Sequence, residues 1–211
     1  MFRSAYLLLM ICTIAPGFQQ ETNSVDPERE KDVYAIYSLM LADPQTSHGP
    51  DENKQYLIAA TTGPGYPREP CVRPPKERET AFREVLVDYE RRKSNPRELK
   101  PSISVPKRYV LLSANQVSEF VKERSFPGIN KTDTNPLFQG ATDVFTLSDV
   151  YFNQRGTLAL TSISSFCGGL CGRWQWKVFE RLDTGKWEER QWVSCSAIAS
   201  TSGSRRRLES A

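Results

Sequence analysis

The segment 167–172, with the sequence CGGLCG, constrains the fold of this chain more than any other. Runs rich in β-forming residues precede it at 157–166 and follow it at 173–182. A short glycine-rich connection between two such runs is typical of a tight antiparallel hairpin. Opposed strand positions lie close enough for a disulfide, and glycine tolerates the positive φ angles of a short loop. The segment therefore predicts a hairpin whose tip is closed by a Cys167–Cys171 bridge.

The C-terminal part of the chain predicts an antiparallel meander of four strands. Two of the turns between its β-rich runs contain Gly156 and Gly185. Alternation along a strand places Trp174, Trp176 and Val178 on one face of the third run. We therefore expect one face of the sheet to bury much of the core. The four runs are, in chain order, 144–153, 157–166, 173–182 and 186–194.

Three helices are predicted upstream of these runs. The first spans 26–44, where apolar residues recur at helical spacing. The second spans 76–93, and the third spans 113–123, where Ser113 and Gln116 fit a capping box. Helices followed by a sheet indicate one α+β domain, in which two or three N-terminal helices pack on a single face of the sheet.

Short strands are also expected at 55–62 and 109–112, on either side of the second helix. The segment 63–75 contains five prolines, which forbid regular structure and favour extended conformations. We therefore predict an irregular loop with Cys71 in its middle.

Residues 1–17 have the pattern of a secretory signal peptide. Arg3 supplies the positive start, and the apolar run 6–15 is too short for a transmembrane helix. The alternatives are an N-terminal core helix and an uncleaved anchor. We expect an exported protein, periplasmic or extracellular. The predicted organisation is a signal peptide over 1–17, a flexible leader over 18–25, a single α+β domain over 26–195 and a flexible tail over 196–211.

Four cysteines remain after cleavage, and an exported chain favours paired cysteines. We predict that Cys167 bonds to Cys171 and that Cys71 bonds to Cys195, which ties the proline-rich loop to the last strand. A redox-active dithiol is an alternative, but the spacing is C-x-x-x-C rather than C-x-x-C. A four-cysteine zinc site is another, but the other two cysteines stand alone in the sequence. We therefore predict no metal and no cofactor.

The charge balance excludes a dedicated nucleic-acid binder. Lys and Arg number 28 against 25 Asp and Glu, for a formal net charge of +3, whereas such proteins have a strong basic excess. A loosely basic stretch over 91–108 indicates a solvated helix end, with contact to an anionic surface as the alternative. No apolar run approaches the roughly 20 residues of a membrane span. We expect no nucleic-acid partner and no integral membrane span after signal cleavage.

Sequence motifs assign no catalytic residue. His48 is the only histidine, which excludes mechanisms that need two imidazoles. The chain has no P-loop, no dinucleotide-binding glycine pattern and no H-E-x-x-H motif. A glycosidase needs two carboxylates that face one cleft, and strand alternation puts Glu188 and Glu189 on opposite faces. The carboxylates in or beside the predicted sheet are Asp143, Asp149, Glu180, Glu188 and Glu189.

The C-terminal segment 144–193 resembles a group of uncharacterised exported bacterial proteins. The resemblance rests on LSDVYFN at 147–153, GTLAL at 156–160, CGGLCG at 167–172 and GKW at 185–187. The CGGLCG segment is distinctive, and the rest is general hairpin chemistry. The resemblance implies bacterial export and the sheet, and it implies no activity.

The sequence predicts a disulfide-stabilised, non-enzymatic binding or structural module of the bacterial envelope or exterior. Its partner would be an envelope or extracellular ligand. The alternative function is a hydrolase that acts on an envelope polymer through the sheet carboxylates. The predicted interaction surface combines the hairpin tip with nearby tryptophans. Its residues are Gly168, Gly169, Leu170, Trp174 and Trp192.

Overall fold

A computed structural model of the chain describes residues 26–42, 55–65, 69–125, 135–169 and 171–194, together with the backbone of 196–199. The three predicted helices are present in it. The described helices are α1 (Pro27–Ala42), α2 (Glu79–Arg92) and α3 (Ala114–Arg124), with 3-10 turns at Lys76–Arg78 and Pro136–Phe138. The described strands are β1 (Tyr56–Ala59), β2 (Val72–Arg73), β3 (Tyr109–Leu112), β4 (Val144–Leu147), β5 (Tyr151–Phe152), β6 (Leu158–Gly168), β7 (Cys171–Arg181), β8 (Trp187–Arg190), β9 (Val193–Ser194) and β10 (Ser196–Ala199).

The main sheet is mixed, and eight of the described strands belong to it. Its order is β10-β7-β6-β4-β1-β3, with β5 pairing with β6 and β8 pairing with β7. β1 runs parallel to both of its neighbours, β3 and β4. The remaining pairs in this sheet are antiparallel. The sheet therefore joins a short parallel part to a series of antiparallel hairpins.

The α+β class is confirmed, but the sheet is larger than the predicted four-stranded antiparallel meander and is not purely antiparallel. The predicted first run divides into β4 and β5, which both pair with β6. The predicted last run divides after Arg190, because β9 leaves the main sheet to pair with β2. β1, β3 and β10 complete the sheet. The parallel partners of β1 are remote from it in sequence, so no local sequence pattern predicts these pairings.

Helices cover both faces of the sheet rather than the single face predicted. On one face, Ile36 of α1 belongs to the same buried cluster as Phe179 of β7. On the other face, Val85 of α2 shares a cluster with Val178 of the same strand. Consecutive strand residues point to opposite faces. The prediction failed because the central strands are apolar on both sides, as strands buried between two layers are.

α3 packs on the same face as α2, against the parallel part of the sheet. Its buried Phe120 forms a cluster with Leu57 of β1 and Phe138. The helix begins with the predicted capping box: Ser113 Oγ accepts from Gln116 N–H, and Gln116 Oε1 accepts from Ser113 N–H at 2.8 Å. The local signal for this helix start is therefore realised in the fold.

The proline-rich loop is less irregular than predicted. β2 forms inside it and pairs antiparallel with β9, with Val72 opposite Ser194 and Arg73 opposite Val193. Prolines favour extended backbone, and a two-residue strand at an edge is compatible with them. The pairing attaches this loop to the C-terminal end of the described sheet region.

Candidate functional site

A cavity of about 400 Å³ lies where the loop after β1 meets the C-terminal end of α2. Because β1 and β4 are parallel, their carboxyl ends lie at the same edge of the sheet. Gly63 joins these ends, since its N–H donates to Leu147 O at 2.8 Å and it forms a parallel bridge with Ser148. Such an edge is a frequent ligand site in open sheets with parallel strands. The residues that line the cavity are Thr62, Gly63, Pro64, Tyr89, Lys93, Ser94 and Pro96.

The loop wall of the cavity is held by close packing on the sheet. Gly65 has a φ of +84°, and a Cβ there would lie 2.7 Å from two ring atoms of Trp176 and 2.9 Å from Ser162 Oγ. Glycine alone permits this approach without displacing the ring. Thr62 N–H donates to Arg97 O, and Thr62 Oγ1 accepts from Arg97 N–H, both at 2.8 Å. The loop wall is therefore held in place both by its packing on Trp176 and by its hydrogen bonds to Arg97.

The helix wall of the cavity contains Tyr89, which is 1% exposed. Its ring stands edge-to-face against Tyr151, with ring centroids 5.0 Å apart, and against Trp176 at 5.7 Å. Lys93 Nζ lies 5.3 Å from the centre of the same ring. Both kinds of contact stabilise a buried aromatic side chain. The Tyr89 ring is therefore core, and it offers no open face on which a sugar or a base could stack.

Among the described residues that line the cavity, Lys93 alone carries a formal charge. Its Nζ lies 2.5 Å from Glu90 Oε2, and its side chain is 36% exposed. The hydrogen bond to Glu90 raises the pKa of Lys93 above its ordinary value. An ammonium group has three N–H donors, so the bond to Glu90 leaves donors for a ligand. Lys93 therefore brings a positive charge to the cavity at neutral pH.

On the same helix, Asp88 binds the guanidinium groups of three arginines. Arg29 Nη2 lies 2.7 Å from Asp88 Oδ2, and Arg91 Nη2 lies 2.6 Å from Asp88 Oδ1. Arg92 donates twice, from Nε at 3.0 Å and from Nη2 at 2.6 Å. Burial by itself raises the pKa of Asp88, but hydrogen bonds from Arg92 and from Phe152 N–H outweigh it and lower the pKa. Asp88 is therefore an anion at neutral pH.

A second buried carboxylate, Asp149, extends this network. It accepts from Arg92 Nη1, from Arg97 Nη2 at 2.6 Å and from Val150 N–H at 2.9 Å. Burial by itself lowers the pKa of Arg92, but its bond to Asp88 and its attraction to Asp149 outweigh this and raise the pKa. Arg92 therefore joins both carboxylates and fixes α2 to the segment after β4.

The basic stretch over 91–108 is largely used inside the fold. Besides the arginines just described, Lys100 Nζ lies 2.7 Å from Glu30 Oε1. Lys107 Nζ lies 5.7 Å from the centre of the Tyr56 ring. These contacts neutralise or shield the cations, so the stretch is not a free basic surface.

The sheet carboxylates considered for a hydrolase are each bound to a neighbouring group. Glu180 pairs with Arg78 at 2.5 Å and with Arg190 at 2.8 Å. Glu189 pairs at 2.8 Å with Lys177, whose side chain is buried. None of the five carboxylates lines the described cavity. The structure therefore does not bring two of them together there.

The last two of these carboxylates, Glu188 and Asp143, also have a hydrogen-bonded or ion-paired neighbour. Glu188 Oε2 lies 3.0 Å from Arg190 Nη1, and Asp143 Oδ2 accepts from the Thr142 hydroxyl at 2.7 Å. In the β7–β8 ladder, Glu188 lies opposite Glu180, one position away from Glu189. Neighbouring positions on a strand point to opposite faces, so Glu188 and Glu189 do not form a catalytic pair.

The hairpin tip is closed and docked on α3. Cys167 and Cys171 form the predicted disulfide, with their Cα atoms 5.1 Å apart. Gly168 and Gly169 have φ angles of +120° and +23°. Gly169 N–H donates to Arg124 O at 3.0 Å, and a Cβ at Gly168 would lie 2.9 Å from that oxygen. These two glycines therefore serve an internal contact.

Of the two tryptophans of the predicted interaction surface, Trp174 lies on the hairpin itself, three residues after Cys171, and Trp192 lies elsewhere. Trp192 packs edge-to-face on Phe82 of α2, with ring centroids 5.8 Å apart. Trp174 is half-buried on β7, where it pairs with Ser164. Leu170 lies outside the described residues. The structure thus places the hairpin tip against α3 and Trp192 against α2, in two separate regions.

Cys71 is disulfide-bonded, and its partner lies outside the described residues because Cys167 and Cys171 bond to each other. Cys195 also lies outside them. Within the described ranges, no group of three or more side chains is arranged to hold a metal ion. The helices in those ranges include none long and apolar enough to cross a membrane.

The sequence did not point to the cavity. Its loop wall, residues 62–64, lies within the segment TTGPG at 61–65, which follows a short apolar strand. Glycine and proline there predict a loop, and that is the one local signal available. The cavity forms at this loop because β4 lies beside β1, and these two strands are far apart in the chain.

No known protein family, no curated protein and no solved structure matches this chain. The geometry of the cavity and the groups around it are therefore the evidence for a function.

Proposed function

We propose that this protein is an exported, non-enzymatic binding module of the bacterial envelope or exterior. It holds a small ligand in the cavity between the loop after β1 and the end of α2. The observation that carries the proposal is the state of the acidic groups: the buried carboxylates beside the cavity are ion-paired with arginines. In the described part of the chain, the residues that line the cavity itself supply hydroxyl groups, proline rings and one ammonium group.

The chemistry of these carboxylates favours binding over hydrolysis. A general acid needs a pKa near the working pH, which usually requires a carboxyl group without a cationic partner. Asp88 has the opposite environment, and its pKa is lowered. Asp149 accepts from two guanidinium groups. Both groups are suited to hold α2 in place rather than to donate protons.

The preformed wall also favours a binding role. Gly65 fits against Trp176 where no other residue would fit, and two hydrogen bonds hold Thr62 to Arg97. A site that is already ordered loses little conformational entropy when a ligand binds. A volume of about 400 Å³ falls within the range of small-molecule sites.

The disulfides support export. Cys167 and Cys171 are bonded to each other, and Cys71 is bonded as well. Such bonds persist in oxidising compartments. We propose Cys195 as the partner of Cys71, because Val72 pairs with Ser194 and the two cysteines are the next residues on either side. The bacterial setting rests on the CGGLCG resemblance alone.

A ligand screen on the exported protein tests the binding role. Ligand-observed NMR with a library of small soluble fragments would be run on the wild type and on Ser94→Trp. Ser94 is exposed and lines the cavity, so an indole there fills the cavity without disturbing the core. Asn95→Trp is the matched control, because Asn95 is exposed and does not line it.

We expect fragments that bind the wild type and Asn95→Trp but not Ser94→Trp. Hits that persist in Ser94→Trp, or no hits at all, contradict the proposal. The same fragments include esters and glycosides, and their turnover by the wild type would contradict the non-enzymatic role. Intact-mass spectrometry of the expressed protein tests export, which requires loss of the segment up to about residue 17.

A further inference from the structure

We infer that the cavity selects ligands that carry an oxyanion, a carboxylate or a phosphate monoester, on a short apolar stem. This inference rests on the proposed function, since it assigns a ligand class to the same cavity. It follows from the chemistry of the lining groups and from the charges beside them.

The side chains that line the cavity include three hydrogen-bond donors. Lys93 has N–H donors beyond the one that it gives to Glu90. Thr62 Oγ1 already accepts from Arg97 N–H, so its own O–H is left to donate. Ser94 adds another hydroxyl group. An oxyanion is the ligand group that accepts several such hydrogen bonds at once, and charge-assisted bonds are the strongest of them.

The charges around the cavity are also in favour of an anion. The helix wall and the groups that act on it contain five cations against four carboxylates. The cations are Arg29, Arg91, Arg92, Lys93 and Arg97, and the carboxylates are Asp88, Glu90, Asp149 and Glu69, whose charge acts on Lys93. A net positive potential attracts anionic ligands and disfavours cationic ones.

A ligand oxyanion would compete with the carboxylate of Glu90 for Lys93, and it can displace that carboxylate. Glu90 is the carboxylate that holds Lys93, and its side chain is 60% exposed. An exposed ion pair contributes little free energy, so a ligand oxyanion can share or replace Glu90. Asp88 and Asp149 are buried among guanidinium groups and do not line the cavity.

The remaining walls require an apolar stem. Pro64 and Pro96 face the cavity with hydrocarbon rings, and Gly63 adds backbone without a side chain. The Tyr89 ring is 1% exposed and already packed against Tyr151. A flat ring that needs a stacking face therefore has none on Tyr89, whereas a short alkyl chain fills the space between prolines.

The test compares four probes that share a six-carbon stem: hexanoate, hexyl phosphate, hexanol and hexylamine. Each is titrated into the ¹⁵N-labelled full-length exported protein at low salt, and the amide shifts of Gly63, Lys93 and Ser94 are followed. We expect both anions to shift these amides saturably, hexanol to bind at least about fivefold more weakly, and hexylamine to bind weakest. The comparison of hexanoate with hexyl phosphate identifies which oxyanion is preferred.

Charge variants complete the test. Lys93→Gln is expected to weaken the binding of the anions about fivefold to tenfold, and to leave the binding of hexanol unchanged. Lys186→Gln is the matched control, because it removes the same charge from an exposed position outside the cavity. Its anion affinity should equal that of the wild type. The thermal midpoints of both variants are recorded to confirm that they are folded.

Equal affinity for the four probes, or an unchanged anion affinity in Lys93→Gln, overturns the oxyanion inference and leaves the cavity as a binding site. A lack of binding by both anions also overturns it. The proposed function fails separately, when the fragment screen gives no hit that Ser94→Trp abolishes.

Discussion

Arg92 and Asp88, one turn apart on α2, form a two-point ion pair, with Nε 3.0 Å from Oδ1 and Nη2 2.6 Å from Oδ2. The same arginine donates to Asp149 and to the Val150 carbonyl. A helix that carries one wall of the cavity is thereby joined to the segment after β4. The arrangement makes the position of the cavity wall depend on buried charges rather than on apolar packing alone.

Asp88→Asn is expected to lower the free energy of unfolding by about 2–4 kcal/mol, because it leaves buried guanidinium groups without their anion. Urea unfolding followed by tryptophan fluorescence measures the loss. Asp183→Asn is the control, since Asp183 is exposed in the turn before β8, and it should change stability by less than about 0.5 kcal/mol. Equal effects of the two changes would contradict a stabilising role of the network.

The stability of the protein should fall as the pH falls below about 5. The pKa of Asp88 is lower in the folded protein than its ordinary value of 3.8. Its contribution is therefore complete above the unfolded pKa, and it is lost as the pH falls through the folded pKa. Urea midpoints at several pH values between 7 and 2.5 measure this. In Asp88→Asn the urea midpoint should decline less steeply with falling pH than in the wild type. An identical decline in the two proteins would show that Asp88 does not cause the loss of stability.

Gly65→Ala should destabilise the protein more than Gly185→Ala. Both glycines have positive φ, at +84° and +80°, but a Cβ at Gly185 meets no atom within 4 Å. Gly185→Ala therefore measures the backbone cost alone, about 1–2 kcal/mol. At Gly65 the overlap with Trp176 is added, and we expect about 1–3 kcal/mol more.

Thermal unfolding of both alanine variants measures the difference. Gly65→Ala should also weaken any ligand that depends on the cavity, because the loop wall must move away from the sheet. Equal destabilisation by the two substitutions would show that the loop is not held against Trp176.

Disulfide mapping without reduction is expected to give two linked pairs, Cys167 with Cys171 and Cys71 with Cys195. Removing the first pair with two Cys→Ser changes should lower the free energy of unfolding by about 2 kcal/mol, because this disulfide closes only a short loop. Removing the second disulfide should lower the free energy of unfolding by about 4–5 kcal/mol in the chain-entropy model, because this disulfide closes a long loop. A free thiol at Cys195 in the processed protein would contradict the second pair.

Local elements of the fold are predictable from the sequence. β3 occupies the predicted 109–112, and the capping box of α3 forms as expected. The apolar face of α1 is buried, from Val33 to Leu41. These features depend on residues within a few positions of one another, so periodicity and capping patterns contain the necessary information.

The candidate site was not predictable in the same way. Lys93 and Pro96 look like a helix end and a stop signal, and 61–65 looks like an ordinary loop. Their meeting depends on β1 lying between β3 and β4. Parallel pairing joins segments that are far apart in the chain, and no short-range pattern specifies it.

Sequence patterns alone were sufficient for the helices, for the β6–β7 hairpin and for its Cys167–Cys171 bridge, because each of these is stabilised by neighbours in the chain. The long-range contacts of the folded chain settled which strands pair in parallel, that helices cover both faces of the sheet, and that Arg92 binds the remote carboxylate of Asp149. Such contacts are stabilised by burial and by charge pairing across the core, so they exist only once the whole sheet has assembled.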